Sequence, residues 1–220
     1  MVLTVYKFDG SPPARAVLMT IAALNLTNVN FVDVNLFNKD NLKEDYVKLN
    51  PQHTVPMLKD DAFVVWDSHA IATYLVSKYG KNDSLYPADL QKRATIDQRL
   101  HFDSGVLFST LRSAVVPVFF GGEKSFRPEN LDKIKEAYGF AESFLTSTWM
   151  AGDQLTLADI SCVATISSME GVLPIDAEKY PKLSAWVQRC SKQDFFQKGN
   201  KDDYLTPFRG PWKHIFLAIK

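Results

Sequence analysis

VLTVYKFDGSPPARAVLMTIAALNL, residues 2–26, is the stretch on which the fold turns. Val2, Leu3, Thr4, Val5 and Tyr6 are β-formers in a short apolar run and read as a buried strand. Asp9-Gly10-Ser11-Pro12-Pro13-Ala14-Arg15 breaks that run, and Ala16 to Leu24 continues as a helix. Ser11 stands at the N-cap position. A proline is tolerated in the first helical turn because the N–H it lacks has no partner there in any case. The segment thus places a hydroxyl at a helix N-terminus, just beyond the carboxyl end of a strand, where open α/β sheets bind ligands. The helix dipole favours an anion at that point: a phosphate, a carboxylate or a thiolate. Most serines at helix starts are plain structural caps, and this stretch alone favours that reading for Ser11. The double proline removes donors that a phosphate needs, and no Gly-x-Gly-x-x-Gly or Gly-Lys-Ser/Thr pattern occurs. One hydroxyl aimed at a small anion fits better than a nucleotide site.

Outward from this unit, Asn30 to Val34 alternates as a second strand, so the order strand, helix, strand implies a right-handed parallel crossover. Asn41 to Leu49 reads as a short helix with Leu42, Tyr46 and Leu49 on one face. Met57 to Lys59 and Ala62 to Trp66 are strands joined by a turn short enough to force antiparallel pairing. Asp67-Ser68 caps a helix bearing Ile71, Tyr74, Leu75 and Tyr79. This β-α-β-α-β-β-α order predicts a thioredoxin-like α/β domain over residues 1–80. A polar, proline-ended linker follows at 81–90, and an all-α domain at 91–220. In the latter, Gln91 to Val116 reads as one long helix and Leu131 to Leu145 as another after Pro128. Leu157 to Ser168 is apolar on nearly every side and should be buried, and Pro181 opens a further helix. The segment from Asp194 on is aromatic-rich, with Phe195, Phe196, Tyr204, Phe208, Trp212 and Phe216.

Composition narrows the function. The 220 residues carry 25 basic and 25 acidic side chains, so no basic field draws nucleic acid. Neither a signal peptide nor an apolar run of about 18 residues is visible, so no membrane partner is expected. Cys162 and Cys190 are too few for a disulfide framework or a zinc site, and no metal is expected. A cytoplasmic protein is the default expectation.

Each candidate residue has two readings. Val55-Pro56 is either an ordinary X-Pro turn or a cis bond that presents the Val55 backbone to an extended peptide. Asp67 and Ser68 cap a helix, or hold the ammonium and carboxylate of an amino acid. His53 is solvated in its loop, or pairs with a ligand carboxylate. Thr156 and Asp159 form a near capping box and read as structural. Cys162 and Cys190 read as core. Phe108, Leu111, Arg112, Val115 and Phe119 share a helix face, with Val116, Pro117 and Phe120 beside it. That face is either core, with Arg112 reaching to water, or an apolar pocket at the domain boundary with Arg112 as its one charge.

Together, Ser11-Pro-Pro-Ala-Arg15, Asn50-Pro-Gln-His-Thr-Val-Pro56, Asp67-Ser-His-Ala-Ile71 and Thr156-Leu-Ala-Asp159 resemble the cytosolic glutathione transferases. The likeness is nearest to the insect delta and epsilon classes, epsilon favoured, and runs over essentially the whole chain. It implies a thioredoxin-like glutathione-binding domain, a helical domain supplying a hydrophobic acceptor pocket, and a homodimer. It further implies that Ser11 hydrogen-bonds the glutathione sulfur and that Val55, before a cis Pro56, pairs with the cysteinyl part. Asp67 and Ser68, with His69 beside them, then hold the γ-glutamyl end, and His53 lies near the glycyl carboxylate. His69 and its helix face are also expected at the dimer interface. Phe108, Leu111, Arg112, Val116, Phe119 and Phe120 then line the acceptor pocket.

The implied activity is conjugation of the glutathione thiolate to a small hydrophobic electrophile, with glutathione peroxidase activity as a further capacity. Glutathione is the co-substrate, and no metal is needed. Two positions depart from the family pattern. Asn41 stands where a second histidine is usual, which threatens one glycyl contact, and Val116 stands where an acidic residue is common. Competing readings are a non-catalytic carrier of hydrophobic ligands, a committed steroid or pigment transferase, and an interaction domain of the elongation-factor kind. The glutaredoxin-like branch would place cysteine where Ser11 stands.

Overall fold

The structure, a computed structural model, describes residues 3–201. Val2 and the aromatic positions Tyr204, Phe208, Trp212 and Phe216 lie outside the described residues. The first half is β1 (Leu3–Lys7), α1 (Pro12–Ala23), β2 (Val29–Asp33), α2 (Glu44–Leu49), β3 (Met57–Asp60), β4 (Phe63–Trp66) and α3 (Ser68–Tyr79). The sheet order is β2-β1-β3-β4. β1 runs parallel to β2 with Val5 opposite Phe31, and antiparallel to β3 with Val5 opposite Leu58. β3 and β4 form the expected tight hairpin, with Asp60 opposite Phe63 and Asp61 in the left-handed region at a φ of 54°.

α1 is apolar around most of its girth because it serves two cores. Val17 and Ile21 join Leu3, Val5, Leu58, Ile71 and Leu75 between the sheet and α3. Ala16 and Met19 join the larger core of the helical half. Arg15 is completely buried, and its guanidinium donates to the Ala164 carbonyl at 3.0 Å and to the Ser168 hydroxyl. Helix α1, and with it Ser11, is therefore anchored from both sides.

The second half is helical: α4 (Leu90–Phe102), a π-helical stretch (Asp103–Phe108), α5 (Ser109–Phe119), α6 (Pro128–Phe144), α7 (Leu157–Val172), α8 (Pro181–Ser191) and α9 (Asp194–Gly199). α7 is the central post, buried without interruption from Leu157 to Met169. Asp159, fully buried, closes a capping box with Thr156 and also accepts the Met150 N–H at 2.8 Å and the Trp186 indole N–H at 2.9 Å. Phe195 and Phe196 on α9 are buried in the same core. Gly199 lets α9 lie against α1, since a Cβ there would sit 2.5 Å from the Met19 nitrogen.

Four expectations need correction. The single helix expected over Gln91 to Val116 is instead α4, a π-helical stretch and α5. The π-helical stretch contains Gly105, and the Ser104 and Ser109 hydroxyls bond carbonyls within it and in the turn before. The chain also stays helical past Pro117 to Phe119. Pro117 lacks the N–H that would bond the Ser113 carbonyl, and the Asn130 side chain of α6 donates to that carbonyl instead, at 2.9 Å. The helix expected over Asn41 to Leu49 divides into a 3₁₀ turn (Asp40–Leu42) and α2, and Leu42 is exposed while Tyr46 enters the core. The strand expected at Asn30 to Val34 begins one residue earlier and ends at Asp33, and the buried α7 continues past Ser168 to Val172.

Candidate functional site

Ser11 caps α1, its Oγ accepting the Ala14 N–H at 3.5 Å. Its own backbone N–H is spent on the Phe8 carbonyl at 2.9 Å. Pro12 and Pro13 occupy the first two helical positions and have no N–H to offer, and the Arg15 N–H bonds the Ser11 carbonyl. The start of α1 therefore presents one uncommitted donor among the described residues, the Ser11 hydroxyl proton.

Ser11 lies where two cavities meet. The larger, about 780 Å³, runs across the end of the sheet, past His53, Val55 and Pro56 before β3 and Asp67, Ser68 and His69 after β4. The smaller, about 160 Å³, lies against α5 between Phe108, Leu111, Arg112, Val116, Phe119 and Phe120. Every site residue expected from the sequence lines one cavity or the other. Leu36, Phe108, Arg112 and Phe120 border both, as Ser11 does.

In the large cavity, the Val55–Pro56 bond is cis. No described residue hydrogen-bonds the Val55 backbone, although Thr54 beside it accepts from Tyr46 and Asn50. At the start of α3, Asp67 has a φ of 77° and its Oδ1 accepts the His69 and Ala70 N–H groups. Ser68, buried and first in the helix, keeps its N–H and hydroxyl out of those bonds. At the far end His53 adopts a φ of 47°, and its carbonyl accepts from the Asn41 side chain at 2.8 Å. Asn41 thus braces the His53 loop. Lys39 lines the same end.

His69 turns toward the protein interior, its Nε2 3.0 Å from Asp103 on the π-helical stretch. Burial works against the imidazolium, but Asp103, with a smaller contribution from Asp67, outweighs it and raises the His69 pKa above its usual 6.5. The other Asp103 carboxylate oxygen is buried and has no described partner. Asp103 and Lys39 were not foreseen. Asp103 lay inside a run that reads as ordinary helix, and Lys39 in a loop without periodicity. Leu36, Phe37 and Phe8, which border the small cavity, were missed for the same reason.

Among the described residues, no group of three or more His, Cys, Asp or Glu could hold a metal ion, and no helix is long and apolar enough to cross a membrane.

The chain is similar to known proteins over nearly its whole length. Glutathione S-transferase 1 of Manduca sexta is 62% identical over 201 residues, covering 91% of this chain and 93% of its own. An epsilon-class glutathione S-transferase from the housefly, Musca domestica, superposes with a TM-score of 0.92 at 47% identity, covering 97% of this chain and 98% of its own. A glutathione transferase homologue from Drosophila mojavensis, solved with bound glutathione, gives a TM-score of 0.92 at 46% identity, with 97% of each chain covered. Residues 5–83 match the family model for the glutathione S-transferase N-terminal domain, and residues 98–194 that for the C-terminal domain. With both halves matched in order, the chain belongs to the glutathione S-transferase family.

Proposed function

We propose that the chain is a serine-type glutathione transferase: Ser11 activates the glutathione thiol, which then attacks an electrophile held in the α5 cavity. The observation that carries this reading is the one uncommitted donor that the described residues leave at the start of α1, set where the cleft holding His53, Asp67 and Ser68 meets the small apolar slot against α5.

Glutathione lies along the large cavity. Its γ-glutamyl carboxylate takes the Ser68 N–H and hydroxyl at the positive end of α3, and its ammonium group meets the Asp67 carboxylate. The cysteinyl backbone pairs with Val55 as an added strand. The glycyl carboxylate lies toward His53 and Lys39. This leaves the sulfur beside Ser11.

A free thiol has a pKa of about 8.5, so only a few per cent is thiolate at neutral pH. A hydrogen bond donated by Ser11, together with the α1 dipole, favours the charged form. Each unit of lowering corresponds to about 1.4 kcal/mol, and about two units make thiolate the major species. The thiolate attacks the electrophilic carbon. The C–S bond forms, and the leaving group departs with its bonding electron pair. The protein contributes position and charge stabilisation, and forms no covalent bond of its own.

The reading also includes a division at residues 81–90, with 91–220 supplying the acceptor side, and a homodimer. Sedimentation should give a mass twice 24.8 kDa, and a monomer would remove the dimer from this account. The kinetic test is Ser11→Ala. The expected result is a fall in kcat of about 10²-fold with a much smaller change in glutathione affinity. Unchanged turnover would refute the role of Ser11. Glutathione binding with no turnover in the parent chain would point to a carrier.

A further inference from the structure

The small cavity has one charged wall. Among the described residues that line it, Arg112 alone carries a charge, and Phe37, Phe108, Leu111, Val116 and Phe120 stand around it. No described residue forms a hydrogen bond or ion pair with Arg112. Its neighbours one turn away along the helix, Phe108, Ser109, Val115 and Val116, are uncharged. Arg112 also borders the large cavity, where the two carboxylates have other partners: Asp103 faces His69, and Asp67 caps α3. The cations Lys39 and His53 lie at the glycyl end of that cavity.

An exposed arginine ordinarily rests its stem on apolar surface and keeps its head in water. Arg112 is exposed. An acceptor lying in the slot covers the stem and displaces water from the guanidinium. In that less polar medium a carboxylate on the acceptor gains most from the charge, through a charge-assisted hydrogen bond. An uncharged acceptor leaves the guanidinium without a partner. We propose that Arg112 selects amphipathic acceptors, electrophiles with an apolar body and an anionic group that pairs with the guanidinium. This inference rests on the transferase reading and names the substrate class of the same site.

The test compares ethacrynate with its methyl ester. Both carry the same aryl vinyl ketone, and they differ only in a carboxylate or an ester remote from it. The thiolate adds to the terminal alkene carbon and forms the C–S bond. The alkene electron pair moves through the carbonyl to its oxygen, and the enolate takes a proton from water at the adjacent carbon. The ester is the more apolar of the two, so an apolar slot alone favours it over the anion.

Enzymatic kcat/KM at pH 7 and low ionic strength is divided by the uncatalysed rate for each acceptor. The parent chain should favour the anion by about fivefold or more. In Arg112→Gln the two acceptors should come within about twofold of each other. Val116→Glu, which sets a carboxylate one turn from Arg112, should do the same with the arginine in place. Arg112→Lys keeps the charge and should keep most of the preference. A parent chain that favours the ester or shows no preference would overturn the proposal. So would an Arg112→Gln variant that loses activity on both acceptors and keeps their ratio, or a preference lost in Arg112→Lys as fully as in Arg112→Gln.

A parent chain that conjugates neither acceptor nor 1-chloro-2,4-dinitrobenzene defeats the transferase reading, and binding then tests Arg112. Calorimetric Kd values for the glutathione conjugates of ethacrynate and of its methyl ester should show the same preference for the anion, and its loss in Arg112→Gln. Equal affinities in the parent chain, or no binding of either conjugate, would overturn the proposal.

Discussion

Ser11, Asp67 and Ser68 are local devices, and their local character made them readable. A cap, a proline and a following helix are written in consecutive residues, so the two helix starts that build the cleft could be placed before any tertiary contact was known. Ser68 should hold a ligand carboxylate by its N–H and hydroxyl. Ser68→Ala is expected to raise KM for glutathione by about tenfold, well beyond any loss in kcat, in steady-state kinetics. The His69–Asp103 pair was not readable, because thirty-four positions separate partners that only packing brings together. Its pH dependence has a definite sign. Asp103 raises the His69 pKa above 6.5, so the stability it adds is fully present below 6.5 and fades as pH rises through the raised folded value. Denaturation midpoints of the parent chain and His69→Gln, measured between about pH 5.5 and 8.5, should therefore converge toward alkaline pH. A gap that widens with pH would contradict the assignment.

At the scale of elements, helix existence and type were legible from periodicity, and internal irregularity was not. The π-helical stretch shifts the pattern by a single residue within an unbroken amphipathic run, which spacing in one sequence does not separate from ordinary helix. Pro117 carried the opposite ambiguity. A proline usually ends or kinks a helix, and what keeps α5 going is Asn130, a residue of the next helix. Asn130→Leu should leave the Ser113 carbonyl without its partner and cost about 1–3 kcal/mol in denaturant unfolding. Because α5 carries Phe119 and Phe120, acceptor KM should rise as well. The capping box of α7 was read correctly as structural, but its reach was hidden. Asp159 also holds Met150 and Trp186, residues from either side of the helix in sequence. Asp159→Ala strands several buried donors at once and should destabilise the chain by more than about 3 kcal/mol by the same measurement.

In the whole molecule, the sheet half and the helical half are consecutive in sequence but share α1. Val17 and Ile21 face one core, Ala16 and Met19 the other, and buried Arg15 ties α1 to α7. In the sequence, strand signals stop near residue 80, and the described elements after β4 are helical. That pattern could not reveal that one helix belongs to both cores, because apolar residues all round a helix do not name their partners. Unfolding should accordingly be a single transition, with far-ultraviolet dichroism and tryptophan fluorescence coincident. Gly199→Ala, which drives a methyl into the α1 backbone at Met19, should lower that one midpoint. Two separated transitions would show that α1 does not couple the halves.

The central claim is that Ser11 makes bound glutathione a thiolate. The most direct measurement is the ultraviolet thiolate absorbance of glutathione, titrated with pH while bound to the parent chain and to Ser11→Ala. The bound thiol should titrate about two units below the free value of about 8.5 in the parent chain and return toward that value in the variant. A bound thiol that titrates at its free value in the parent chain, or a lowered value that survives the loss of the hydroxyl, would contradict it.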